Sequence, residues 1–192
     1  TASTPLVDTT GTAATYNGLL KRCTVKDIML MQLTLDLLKV PQAGRGLVLC
    51  PEHANDLMNE DQAFRNQYHD IRAGRPVDMY GFKLYQYLEN PFYAGDVKAN
   101  YVKQSFGTVY NQGQGAAGVR HRRASLAYHP LLMYKTMTVP LMYYDEAEKN
   151  PRFRQSEVGF RLYTTAEPKL PQSETPGADT THAIAAIVSS DL

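Results

Sequence analysis

Apolar positions recur every three to four residues between 28 and 38. Ile28, Met31, Leu35 and Leu38 form one line, and Leu30, Leu33 and Leu37 form a second beside it. That spacing is helical, and two stripes predict a helix covered on much of its circumference. Thr24 suits its N-cap, and Asp27 three residues on supplies a variant of the capping box. Val40-Pro41 ends it, because the residue before proline is pushed out of the α region. The pattern then switches. Gly44-Arg45-Gly46 reads as a turn, and the apolar run 47 to 50 as a short buried strand. Pro51 fits a first helical position, where its missing N–H costs nothing. Glu52 then sits where a helix N-terminus favours negative charge, and Ala54, Leu57 and Met58 form the inner face. A second short helix is expected over 61 to about 68, and a turn over 73 to 76. Residues 77 to 88 read as a strand pair, or one strand kinked at Gly81, with Phe82 and Leu84 alternating with Lys83 and Tyr85.

Outside that stretch the pattern is weaker. Residues 1 to 20 read as extended or loose, and 89 to 123 as irregular and glycine-rich. Residues 124 to 128 fit a strand or the start of a helix, while 139 to 144, 158 to 164 and 183 to 188 fit strands. Residues 145 to 155 are highly charged around Pro151 and read as an exposed turn. Residues 167 to 181, rich in Pro, Thr and Ser, read as a mobile loop. There is no internal repeat. Helices and strands together give an α+β class.

Composition narrows the function classes. The chain has 192 residues, 43% apolar and 20% charged, which fits a folded protein with a sizeable core. Lys plus Arg is 20 against 19 Asp plus Glu, a net charge of +1, which argues against a dedicated nucleic-acid binder. No apolar run approaches the ~18–20 residues of a membrane span. Cys23 and Cys50 are too few for a disulfide framework and read as small buried hydrophobes. Thirteen Tyr and no Trp slightly favour an oligomer, since tyrosine joins apolar area to a polar tip. The chain opens Thr1-Ala2-Ser3-Thr4 without Met or a signal-peptide pattern, as expected for a processed product, a fragment or a tag-cleaved chain.

Few residues suggest chemistry. Gly113, Gly115 and Gly118 match the dinucleotide fingerprint spacing, which needs a strand before and a helix after. The acidic residue expected about 20 positions on is absent, so a surface loop is the better reading. Arg120-His121-Arg122-Arg123 is a basic cluster that could meet phosphate by charge alone. With no interleaved aromatic platform it reads as a solvated loop or a subunit contact. Cys50 and His53 invite a nucleophile-and-base reading, but a buried structural Cys fits better. His69, His121, His129 and His182 are scattered, with no metal-ligand spacing. Asp56, Glu60 and Asp61 read as a helix-end charge group. No catalytic residue, cofactor or metal is therefore expected, which points to a binding or structural role.

The ordered run from 24 to 93 carries a resemblance. An apolar helix leads into Val40-Pro-Gln-Ala-Gly-Arg-Gly-Leu-Val-Leu-Cys-Pro51. A short helix ending Asp56-Leu-Met58, then Asp61-Gln-Ala-Phe64, a turn at Gly74, and Tyr80-Gly-Phe-Lys-Leu-Tyr85 before Asn90-Pro91 follow. This resembles the major capsid proteins of tailed double-stranded DNA phages, with the Hong Kong 97-like fold. Ala124-Ser-Leu-Ala-Tyr128 and Val158-Gly-Phe-Arg-Leu-Tyr163 are compatible. The resemblance implies a central mixed sheet flanked by helices, an axial-type core over 24 to 133 with 182 to 192. It implies elongated peripheral-type strands and a loop over 134 to 181, after an extended segment 1 to 23. In that family an N-terminal arm, a hairpin loop and a spine helix precede this region. The chain is therefore expected to be the C-terminal part of a coat subunit that does not assemble alone. The lysine-bearing hairpin that cross-links some relatives has no counterpart.

The implied function is a shell subunit that self-associates into pentamers and hexamers around packaged DNA held non-specifically. Scaffold, portal and maturation protease are its further partners, and no membrane is involved. The implied location is the virion capsid, and the host cytoplasm during assembly. Arg72, Arg75, Tyr80, Arg120, Arg122 and Arg123 are candidate subunit contacts from charge and loop position. Two alternatives stand beside this: an encapsulin-like compartment shell, and a small α/β enzyme with a nucleotide at 113 to 118.

Overall fold

The computed structural model describes residues 4–15, 19–95, 100–105, 108–110, 120–145, 157–168 and 184–191. The glycine run at 113 to 118, His182, most of the turn over 145 to 155 and nearly all of the loop over 167 to 181 lie outside the described residues. The first helix, α1 (Val25–Leu37), starts as the sequence demands. Asp27 accepts the Thr24 N–H at 2.8 Å and its hydroxyl at 2.9 Å. The same carboxylate accepts the Thr10 N–H and hydroxyl, tying the N-terminal segment to the helix. At the other end the buried Arg45 guanidinium reaches Asp36 and the Val40 carbonyl, both at 2.6 Å, and the Pro41 carbonyl at 2.9 Å. The loop that follows the helix thus has its Val40 and Pro41 carbonyls satisfied by a charged donor.

Strand β1 (Leu6–Asp8) precedes α1, and β2 (Gly46–Leu49) follows it. Then come α2 (Pro51–Glu60) and α3 (Gln62–Arg72), with Pro51 and Asp61 at their starts as the sequence indicates. Strands β3 (Val77–Met79) and β4 (Phe82–Gln86) form a hairpin. Its two-residue turn puts Tyr80 at φ 51° and Gly81 at φ 74°, the left-handed pair such a hairpin requires. A side chain at Gly81 would also collide with Gln32 of α1. Strands β5 (Phe92–Ala94) and β6 (Val102–Lys103) pair with each other, and β5 pairs with β7 (His121–Tyr128). A 3-10 turn at Pro130–Leu132 leads to β8 (Met133–Asp145) and β9 (Glu157–Pro168) before β10 (Ile184–Val188).

The main sheet runs β1-β10-β7-β2-β4-β3. It is mixed: β1 with β10 and β2 with β4 are parallel, and the other neighbours are antiparallel. The apolar run β2 is central, as its composition requires. Strands β8 and β9 form a separate two-stranded ribbon whose register shifts between Thr138 and Leu141, around Pro140. Proline has no N–H for a ladder and is tolerated at such an irregularity.

Alternation along the strands divides the sheet into two faces. Val7, Leu47, Phe82, Leu84, Ala127, Ala185 and Ile187 share one core with Ile28, Met31 and Leu35 of α1, Ala54 and Leu57 of α2, and Phe64 and Ile71 of α3. All three helices therefore lie on one face. The other face carries a row given by the register: Tyr85 beside Val48, Val48 beside Leu126, Leu126 beside Ala186 and Ala186 beside Leu6. Tyr93 and Tyr101 of the β5–β6 region cover part of it, with Ala124 and Val188.

Three sequence expectations sharpen or change. Residues 6 to 8, expected as extended or loose chain, form an extended edge strand paired with β10. The second short helix extends to Arg72. The basic residues 121 to 123 begin an eight-residue strand rather than a solvated loop, because Phe92, Tyr93 and Ala94 supply their ladder partners.

Candidate functional site

The N-terminus of α2 holds the residues with the strongest chemical potential. Cys50 is fully buried, and burial pushes its thiol up to about 12. Its N–H donates to the Ser125 hydroxyl at 3.0 Å. His53, one turn on, is also fully buried. Its Nδ1 lies 2.8 Å from the Ser125 hydroxyl and its Nε2 2.9 Å from the Ser189 hydroxyl. Burial lowers the His53 pKa to about 4, so the ring is neutral at physiological pH. Both ring nitrogens are thus spent inside the core, and the thiol is held protonated. The group staples α2 to β7 and to the residue that follows β10. It has no activated nucleophile.

Asp56, on the next turn of α2, is buried and accepts the Cys23 N–H at 3.1 Å. Burial raises its pKa to about 6. Glu60, on the same helix, is raised too, by desolvation first. These carboxylates lie by a small cleft with Arg22, Thr24 and Asn59. Among the described residues, no group of three or more His, Cys, Asp or Glu is placed to hold a metal.

The arginine cluster is divided between two internal tasks. Arg122 is fully buried and donates to the Tyr101 hydroxyl at 3.0 Å, the Ser189 carbonyl at 3.1 Å and Asp191 at 2.9 Å. Its guanidinium also lies 5.1 Å from the Tyr101 ring centre. Arg120 joins the same Asp191 at 3.1 Å. Arg123 turns the other way, over the Tyr110 ring at 4.3 Å and 3.7 Å from Glu52. Arg122 is thus buried within its own chain rather than held in a solvated loop. The remaining candidates sit at the opposite edge. Arg72 ends α3 and is exposed. Arg75 pairs with Asp70 at 3.6 Å, with both side chains largely exposed. The Tyr80 hydroxyl donates to Asp61, the N-cap of α3. That bond lowers the Asp61 pKa and, after burial, raises that of Tyr80. Arg122 and Arg123 thus lie on β7, with Arg120 just before it, and Arg72, Arg75 and Tyr80 lie at the α3–β3–β4 corner.

A cleft of about 590 Å³ lies between Pro91, Phe92, Lys103, Tyr110 and Arg123. Glu89 offsets part of its positive charge, so the cleft selects no single ligand sign. No described helix is long and apolar enough to cross a membrane.

The largest departure from the sequence reading is on α1. Its inner stripe is buried, but Met29 is 57% exposed, Leu30 41%, Leu33 51% and Leu37 75%. The predicted cover on the second stripe is absent from the described residues, because the sheet reaches only one side of the helix. The half-buried Val48, Tyr85, Leu126 and Tyr128 on the helix-free side of the sheet were not singled out from sequence. Their alternation with Leu47, Leu84 and Ala127 is the signal that marks them.

No protein-family model matches the sequence, and no curated protein matches it. A solved structure from Mycobacterium phage Che8 is similar at a TM-score of 0.44 and 10% identity, over 94% of this chain and 52% of that one. The chain thus spans about half the length of that structure.

Proposed function

We propose that this chain is a structural subunit of a self-assembling shell, of the kind built by the major capsid proteins of tailed double-stranded DNA phages. One topological observation carries the reading. The chain leaves the main sheet after β7, makes the separate β8–β9 ribbon, and returns as β10 between β1 and β7. That is the order in which the resemblance places an axial-type core and elongated strands. A two-stranded ribbon is marginal by itself in water, so a ribbon of this length needs cover beyond its own two strands, and packed subunits supply it. The buried state of Cys50 and His53 supports the same reading, since the residues most suggestive of catalysis serve the core. The mechanism is self-association into pentamers and hexamers that close around DNA. Near-neutral charge suits a subunit that mainly holds other subunits.

The test is to express the complete reading frame and image the product by electron microscopy. Closed shells or five- and six-fold rings support the proposal, and a protein that stays monomeric at all concentrations contradicts it. Nuclease-resistant DNA inside shells from producing cells separates a phage coat from an encapsulin-like compartment, which holds protein cargo instead.

A further inference from the structure

We propose that residues 9–15 and 20–24 form a strap across the start of α1, fastened to α2 by Asp56, and that the strap loosens when Asp56 loses its proton. This is independent of the shell reading. Two passes of chain make the strap. Ala14 pairs antiparallel with Lys21. The Thr15 N–H donates to the Leu20 carbonyl at 2.7 Å, and the Arg22 N–H to the Ala13 carbonyl at 3.0 Å. Gly11 lies so close to the second pass that a side chain there would collide with the Arg22 carbonyl. The two passes are thus packed to move as one.

The strap ends on carboxylates. The first N–H groups of a helix have no partner within it. Here Asp56 accepts the Cys23 N–H at 3.1 Å, Asp27 accepts the Thr24 N–H at 2.8 Å, and Glu60 faces the Val25 N–H. Asp27 also takes the Thr24 hydroxyl and the Thr10 N–H and hydroxyl, so four donors meet its charge. Asp56 is placed differently. It is 2% exposed, and Glu52 and Glu60 lie one turn to either side of it on α2, on the same helix face. Asp27 of α1 and Asp61 at the start of α3 adjoin Glu60, and Tyr80 donates to Asp61. Arg22 is the cation that faces Asp56. Cys23 and Cys50 are buried thiols at the same junction, and His53 is bonded to Ser125 and Ser189 instead. A buried carboxyl among like charges favours its neutral form. Burial, and after it Glu52 and Glu60, raise the Asp56 pKa from 3.8 to about 6, against the pull of the Cys23 N–H and Arg22. A cleft of about 280 Å³ between Gly11, Ala13, Asn59 and Glu60 borders Asp56, so a lifted strap exposes the carboxyl to solvent. Its proton affinity then returns to the ordinary value. Opening therefore becomes easier by about tenfold per pH unit between pH 4 and 6, and levels above that.

The test is hydrogen exchange of the whole chain from pH 4 to 8, with each rate corrected for the intrinsic pH dependence of exchange. Protection of the Thr10, Arg22, Cys23 and Thr24 amides should fall about 100-fold between pH 4 and 6 and then level, while the amides of β2 stay better protected throughout. In Asp56→Asn the side chain resembles the neutral acid and can still accept the Cys23 N–H. Its strap amides should keep one level of protection at every pH. A fall that persists in Asp56→Asn overturns the proposal. Strap amides protected as well as those of β2 at every pH overturn it too, since no separate opening then exists. If Asp56→Asn does not fold, carbon-13 titration of the wild-type Asp56 carboxyl decides. A midpoint near 6 supports the strap, and one near 4 overturns it.

Discussion

His53 and Asp56 sit one turn apart on α2, and burial moves their proton affinities in opposite directions, to about 4 and about 6. The ordinary values are 6.5 for the imidazole and 3.8 for the carboxyl. Between pH 6.5 and 4 the unfolded chain protonates the imidazole and the folded chain does not, so acid removes stability there. Over about pH 6 to 4 the folded chain protonates Asp56 before the unfolded chain does, so acid adds stability. Each effect is about 3 kcal/mol in full, and over the shared window they offset. Urea unfolding of His53→Gln from pH 7 to 4 should show stability rising relative to wild type as the pH falls. Asp56→Asn should show it falling. Parallel curves for all three proteins would contradict the assignment. Arg122 and Arg75 make a second contrast at this scale. Arg122→Ala strands buried acceptors and should cost about 3 kcal/mol. Arg75→Ala breaks only an exposed pair and should cost less than about 0.5 kcal/mol. Denaturant midpoints decide both. Sequence showed these residue types but not their tasks. Ser125 and Ser189 lie 72 and 136 positions from His53, and no local pattern could bring them together.

At the scale of elements, local signals worked where the chain contacts itself locally. Thr24 and Asp27 mark the start of α1, Pro51 opens α2, and Gly81 closes the β3–β4 hairpin. The Asp27 carboxylate does more than the capping pattern shows, because it also accepts two bonds from Thr10. Asp27→Ala should therefore cost about 2–3 kcal/mol, above the ~1 kcal/mol of an ordinary cap. Hydrogen exchange in that variant should quicken in α1 and in the 9 to 15 segment together, and faster exchange in α1 alone would contradict the link. Elements made by distant partners were harder to read. Arg120 and Arg122 look like loop residues until Asp191 and Tyr101 are beside them, and Arg123 until Tyr110 and Glu52 are. Periodicity marked the second stripe of α1 as apolar but carries no information on what lies against it. The sequence therefore predicts cover where the described residues leave Leu30, Leu33 and Leu37 exposed.

For the whole molecule, the α+β class and the central place of β2 follow from the alternation of apolar runs and turn residues. The separation of β8 and β9 from the main sheet does not, since pairing register over twenty or more residues is a tertiary choice. Among the described residues the molecule shows a sheet covered by helices on one side and only in part, by Tyr93 and Tyr101, on the other, a helix with an exposed apolar stripe, and a ribbon separate from the sheet. Each feature leaves apolar or backbone groups that further contacts would satisfy, as the proposed shell assembly requires. The sedimentation profile of the protein expressed from its complete reading frame tests that account most directly. It should show closed shells or five- and six-fold rings. A single monomer boundary at every concentration would contradict it.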